Sequence, residues 1–253
     1  MDLPFILAVL SGTVAAAFVS GVSGFAFGMV ALSVWAWALD PRLLSPMIVF
    51  GSLLSQLVAL GAVRRGLDWR RLLPFLIPGV IGVPIGAVLL GRIDLQWFRG
   101  VTGVLLIVYG GGMLLARELP PPRLLGPPGG RLGGRLADGV VGLIGGIMGG
   151  LAGLSGSVPV LWCTLRRWDK DVQRAVFQSF NLVMHVVTMG SYAWRGILTV
   201  EVGWIFALML PAILLPAWLG ARAYPLISEA AFRTMVLCLL LLSGCVLVGS
   251  VVL

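Results

Sequence analysis

Apolar runs of about membrane-spanning length follow one another along almost the whole chain, and two of them are broken by the same short motif. Gly21-Val22-Ser23-Gly24 interrupts the first, and Gly153-Leu154-Ser155-Gly156 interrupts a later one. A run of ~20 apolar residues is what a helix needs to cross the ~30 Å hydrocarbon layer. Inside that layer every backbone amide and carbonyl needs a partner, which leaves helices or closed barrels as spanning structures. Glycine and serine in mid-run stop a helix where a stop is costly. A break of this kind duplicated in two halves points to the substrate site of a secondary transporter.

Ten apolar segments can be drawn, at about 3–20, 25–39, 44–63, 72–91, 97–116, 138–152, 157–165, 175–194, 202–221 and 233–253. The chain is 59% hydrophobic and 11% charged, which leaves no room for an ordinary soluble domain between them. The fold class is therefore all-α, polytopic in the membrane. Residues 117–137 are the exception. They hold Pro120-Pro121-Pro122, Pro127-Pro128, two Gly-Gly pairs and four arginines, a composition that reads as a linker. The first transmembrane half is then 1–116 and the second 138–253. The start, Met1-Asp2-Leu3-Pro4, lacks the basic region of a signal peptide and reads as the beginning of the first segment.

The halves repeat. Besides the Ser-Gly motif, Arg65-Gly66 recurs as Arg195-Gly196, Pro84 as Pro216, Phe98-Arg99 as Phe232-Arg233 and Gly110 as Gly244, all at offsets between 130 and 134. Shared offsets suggest duplication, although Gly- and Pro-rich membrane helices also look alike by composition. Basic residues set the orientation. If each broken pair crosses twice or dips in and returns, 14 of the 18 Lys and Arg fall on the side of Arg64 and Arg65, and only Arg42, Arg92, Arg99 and Arg195 fall on the other. If residues 138–165 crossed once, the split would be nine to nine. The positive-inside rule selects the first arrangement. Arg65-Gly66 then lies inside and Arg195-Gly196 outside. The expected fold is two inverted-topology repeats of about five segments each, with a broken helix pair in each, a cytoplasmic linker and both termini outside.

Segments 25–39 and 157–165 are short for a full span. Each broken pair is expected to be a re-entrant or tilted hairpin, the two tips meeting near the midplane. Each tip starts a helix whose first amides lack intrahelical partners and whose dipole places partial positive charge there. Ser23 and Ser155 are the expected N-caps. An anion bound at Ser23, Gly24, Phe25, Ser155, Gly156 and Ser157 would need no buried lysine. The same small residues can instead serve tight helix packing.

Polar residues inside the segments are few. Gln56 lies in one, and Gln178, Asn181 and His185 share a face of another by their spacing of three and four. They are candidates to line a substrate or water path, with interhelical hydrogen bonding as the alternative. His185, the only histidine, is a candidate for a coupling proton or a structural residue. Arg174, near the end of the same helix, could guide an anion inward or simply anchor the helix at the surface. Pro78, Pro84, Pro211 and Pro216 should bend their helices. The three cysteines, Cys163, Cys238 and Cys245, lie in or beside apolar segments and do not cluster, so no metal site and no cofactor is expected.

On Ser20-Gly21-Val22-Ser23-Gly24-Phe25, on its second copy Gly150-Leu151-Ala152-Gly153-Leu154-Ser155-Gly156, and on Trp168-Asp169-Lys170-Asp171 followed by Arg174, the chain resembles the TauE/SafE family of membrane permeases, the sulfite exporter family. Phe25-Ala26-Phe27-Gly28 stands where members carry a richer glycine run, which leaves the substrate open. The resemblance implies a bacterial inner-membrane exporter of sulfite or a related sulfur-containing or organic anion. The expected partners are that anion, the lipid bilayer and a coupling proton for which His185 is the candidate carrier; nucleic acid is not expected, and homo-oligomerisation is left open. No Walker motif suggests ATP-driven transport, and no acid, base or metal cluster suggests an enzyme. A passive anion channel and a non-transporting membrane scaffold are the rival readings.

Overall fold

A computed structural model of the chain describes residues 3–35, 39, 41–62, 68–89, 95–115, 132–166 and 168–252. Every regular element among them is a helix. The ten α-helices are α1 (Leu3–Ser23), α2 (Phe27–Trp35), α3 (Pro41–Val58), α4 (Trp69–Leu89), α5 (Leu95–Leu115), α6 (Leu132–Ala152), α7 (Ser157–Leu165), α8 (Lys170–Trp194), α9 (Val200–Ala223) and α10 (Glu229–Val252). Each of the ten expected segments carries one of these helices. The largest difference lies at α6, which begins at Leu132, inside the stretch read as linker. Residues 117–131 lie outside the described residues, as do Arg64, Arg65 and Arg92.

Five of the described helices are long and apolar enough to cross a membrane: α1, α4, α6, α9 and α10. The protein is a multi-pass membrane protein. α8, at 25 residues, is as long as any of them. Its polar residues lower its hydropathy, and those from Arg174 onward that share one face (Arg174, Gln178, Asn181, His185 and Thr188) are buried inside the protein.

The two halves exchange helices. α1 packs along α9, α6 along α4, and α5 along α10, while α3 and α8 lie against each other in the middle. These pairs approach closely because glycine fills the contact lines. A β-carbon on Gly146 would run into the Gly79 carbonyl, and one on Gly220 into that of Phe18. Gly142 meets Phe75, Gly146 meets Gly79 and Gly150 meets Val83, so the register advances together and α4 and α6 run parallel. The short helices α2 and α7 fill the interior against α3 and α8. Phe27 and Trp35 of α2 are fully buried.

Candidate functional site

Both broken runs are hairpins of unequal arms. α1 and α6 have 21 residues each, about 31 Å at 1.5 Å per residue, whereas α2 and α7 have nine. The first arms are therefore long enough to span, and only the second arms are half-length.

At the first break Gly24 closes α1 with φ +85°, a left-handed conformation suited to glycine. Its N–H still donates to the Ser20 carbonyl at 2.7 Å. The Ser23 hydroxyl accepts from the N–H of Ala26 at 3.2 Å and, more weakly, from that of Phe25 at 3.4 Å. Ser23 thus covers the amides leading into α2. Phe25 turns its ring onto Phe177 of α8, edge-on at 5.4 Å between centroids. The carbonyls at the end of α1 are taken from across the molecule. Arg174 donates from Nη1 to Val22 and from Nη2 to Gly21, each at 2.7 Å. Its Nε donates to Gln178 Oε1 at 3.1 Å, and its guanidinium lies 3.8 Å from the centroid of the Tyr224 ring. A cation on those carbonyls is where the negative end of the α1 dipole favours it. Arg174 is 1% exposed, so it is not the surface anchor that its place near a helix end suggests.

The second break is built differently. Gly153, at φ +70°, donates to the Gly149 carbonyl at 2.9 Å, the bond of an αL helix close, and Leu154 donates to the Met148 carbonyl at 3.4 Å. Ser155 is not an N-cap. Gly156 holds that position with no side-chain cap, and the Ser155 hydroxyl instead donates to Asn181 Oδ1 at 3.0 Å. Asn181 lies directly over Gly156, where a β-carbon would come within 2.5 Å of its Nδ2. That Nδ2 has no hydrogen-bond partner, and neither has the buried hydroxyl of Ser157. Among the described residues no acceptor takes the amides of Ser155 and Gly156 either. His185 sets Nε2 at 3.3 Å from the Gly153 carbonyl, and its Nδ1 is unpartnered.

The breaks come together but are staggered, not opposed at one level. Gly24 adjoins Gln178, Gly156 adjoins Asn181 and Gly153 adjoins His185, a climb of about 10 Å along α8. Their direct side-chain contact is apolar. A β-carbon on Gly28 would meet Leu154 at 3.2 Å, and Ile48 packs against both Gly28 and Gly153.

α8 is the element that joins them. Arg174, Gln178, Asn181, His185, Thr188 and Tyr192 recur every three or four residues on one face, about 27 Å from end to end, and none is more than 2% exposed. Gln178 Nε2, Asn181 Nδ2, His185 Nδ1 and Thr188 Oγ1 have no hydrogen-bond partner. Leaving a buried polar group unpaired costs ~1–3 kcal/mol. Four on one face form a polar lane in a mostly apolar interior. Gln56 of α3 is also buried with both amide atoms unpartnered, but no hydrogen bond joins it to either break.

Thr188, Tyr192 and the buried role of Arg174 extend the sequence-derived set. The spacing that grouped Gln178, Asn181 and His185 also includes Arg174 at i−4 and Thr188 at i+3. The Trp35 and Trp162 tethers had no such signal. The Trp35 indole N–H donates to the Ala8 carbonyl at 3.1 Å, and that of Trp162 to Asp138 Oδ1 at 2.7 Å. Each ties a short helix back to the long helix before it.

A helical membrane fold with buried polar groups beside two helix breaks is the arrangement expected of a transporter. The family model for the sulfite exporter TauE/SafE matches residues 8–247. The chain belongs to that family. No curated protein and no solved structure matches it.

Proposed function

We propose that the chain exports a small anion, sulfite or an organosulfonate, by alternating access around the two breaks. The observation that carries this reading is the donor set at the second break. The free backbone amides of Ser155 and Gly156, the Ser157 hydroxyl and Nδ2 of Asn181 are all buried and uncommitted. Oriented N–H and O–H donors at a helix start bind an oxyanion without a full positive charge. Such a site can release its solute, which a buried lysine would hold too tightly. The α8 lane offers the polar route to and from it. Gln178 and Gln56 are proposed to line that route, and Ser23, Gly24 and Phe25 to form its wall at the first break.

The two halves are proposed to be inverted repeats, 1–116 and 138–253. The exchanged packing of α1 with α9 and of α6 with α4 supports this pairing. The inner membrane is the proposed location, with the linker in the cytoplasm and both termini outside. His185 is a candidate proton carrier because Nδ1 is free to take one.

Counterflow in proteoliposomes tests the reading. Vesicles loaded with unlabelled sulfite should take up labelled sulfite faster than empty ones, with saturation. Sulfoacetate, taurine, sulfate and thiosulfate are the competitors that define the substrate. Flux without counterflow would make the protein a channel, and no flux of any of these solutes would reject the proposal.

A further inference from the structure

The geometry points to a binding site for an anionic phospholipid in the groove between α4 and α6, its phosphate held by Arg70 and Arg135. The groove has a volume of about 790 Å³. Its α4 wall is Arg70, Leu73 and Ile77, and its α6 wall is Arg135, Leu136 and Val140, with Pro74, Pro78 and Gly139 along the floor. On α4 these positions recur every three or four residues, and on α6 Arg135 and Leu136 are followed one turn on by Gly139 and Val140, which makes two stripes facing one channel. Because α4 and α6 run parallel, Arg70 and Arg135 lie near the starts of their helices at one end of the groove.

The chemistry divides along its length. At one end two exposed guanidinium groups from different helices meet no carboxylate among the described residues. Nearby Arg71 pairs with Asp68, and Arg166 with Asp138. Beyond the arginines the walls are apolar and open to the outside of the protein: Ile77 is 61% exposed, Leu136 66% and Val140 57%. From Arg135 to Leu143 the groove runs about 12 Å, less than one leaflet of a ~30 Å core. Trp69, exposed beside Arg70, has the amphipathic ring that settles at headgroup level. A phosphate diester matches the paired arginines, and an acyl chain matches the walls below. A zwitterionic lipid would add a cation next to two others, so the fit favours a net negative headgroup.

The test is native mass spectrometry of the full chain in detergent with added phosphatidylglycerol or phosphatidylcholine. The protein should retain phosphatidylglycerol preferentially. The double variant Arg70→Gln with Arg135→Gln should weaken that retention about thirtyfold. The double lysine variant should keep most of it. Ile77→Trp, which leaves both arginines in place and fills the channel, should weaken retention as well, and it guards against a misfolded double variant. Equal retention of both lipids, or no loss in the glutamine variant, would overturn the site. Displacement by millimolar inorganic phosphate would show a free-anion site instead of a lipid site. A disulfide between copies formed at Ile77→Cys, with Cys238 and Cys245 changed to Ser, would show that a second copy fills the groove. Either result also overturns the proposal. None of these readouts depends on which solute the protein transports.

Discussion

The same four-residue pattern builds two unlike joints. At Gly21–Gly24 the polar groups are spoken for. Ser23 covers the amides ahead of α2, and Arg174 covers the carbonyls behind it. At Gly153–Gly156 the backbone closes on itself, Ser155 turns to Asn181, and donors remain free. The tethers differ in kind as well. Trp35 holds α2 through a neutral carbonyl, whereas Trp162 holds α7 through Asp138, which also pairs with Arg166 at 2.8 Å. A motif of small residues therefore specifies that the helix stops. What the stop does is decided by the side chains that reach it from α8. One break is a fixed joint clamped by a cation, and the other is the receptive one.

The largest effect should come from removing the clamp. Arg174→Ala leaves the Gly21 and Val22 carbonyls without their donor and opens a void against Tyr224. The expected loss is about 3 kcal/mol or more, read as a drop in the unfolding temperature in detergent, together with loss of flux. Arg174→Lys should restore only part of it, because one ammonium cannot reproduce the planar fork on two carbonyls and Gln178. If Arg174→Ala unfolds like the parent protein, the first break is not held from α8.

Asn181→Leu probes the other joint. It removes the uncommitted Nδ2 and the acceptor of Ser155 while keeping the branched outline of the side chain. Counterflow should fall at least about tenfold, with a stability change of no more than ~1 kcal/mol, since the lost Ser155 bond is offset by burying an apolar group. Unchanged flux would remove Asn181 from the solute path and erase the functional half of the contrast.

Much of this arrangement can be read from the chain. The apolar runs announce the helices, because a membrane interior tolerates little else, and Gly24 and Gly153 mark the breaks. The i, i+3, i+4 spacing groups Gln178 with Asn181 and His185. What spacing cannot report is a partner far away in the chain. Arg174 looks like an anchor because it lies four residues into α8, and only tertiary packing brings it onto Gly21 and Val22, about 150 positions earlier. Ser155 looks like a cap for the same local reason as Ser23, yet Asn181 competes for its hydroxyl and wins. The stagger of the breaks follows from α1 and α6 being full-length helices, a boundary that residue type alone sets poorly at α6, where helix continues into the glycines and arginine before Asp138.

The tethers give the next contrast. Trp162→Phe removes a donor from a buried carboxylate, and Trp35→Phe removes one from a backbone carbonyl. Hydrogen bonds to charged groups contribute more than neutral ones, so about 2 kcal/mol is expected at Trp162 and about 1 kcal/mol at Trp35. Chemical unfolding of the two variants side by side gives the difference. Equal losses would mean that Arg166 alone satisfies Asp138 and that the charged tether holds α7 no more firmly than the neutral one holds α2.

The smallest effects separate the two serines. Ser23→Ala should cost about 1 kcal/mol, the usual cost of losing a cap, and should leave the apparent KM for the exported anion unchanged, because its oxygen is committed to Ala26 and Phe25. Ser155→Ala should cost a similar amount of stability through the lost bond to Asn181. It should also shift the apparent KM several-fold, since Asn181 Oδ1 is then freed beside the donors proposed to meet the solute, and an unpaired acceptor there repels an anion. Stability alone cannot tell these variants apart; the ratio of their KM values can. A KM shift of the same size in both would make the two breaks equivalent, with the solute held between them and not at the second.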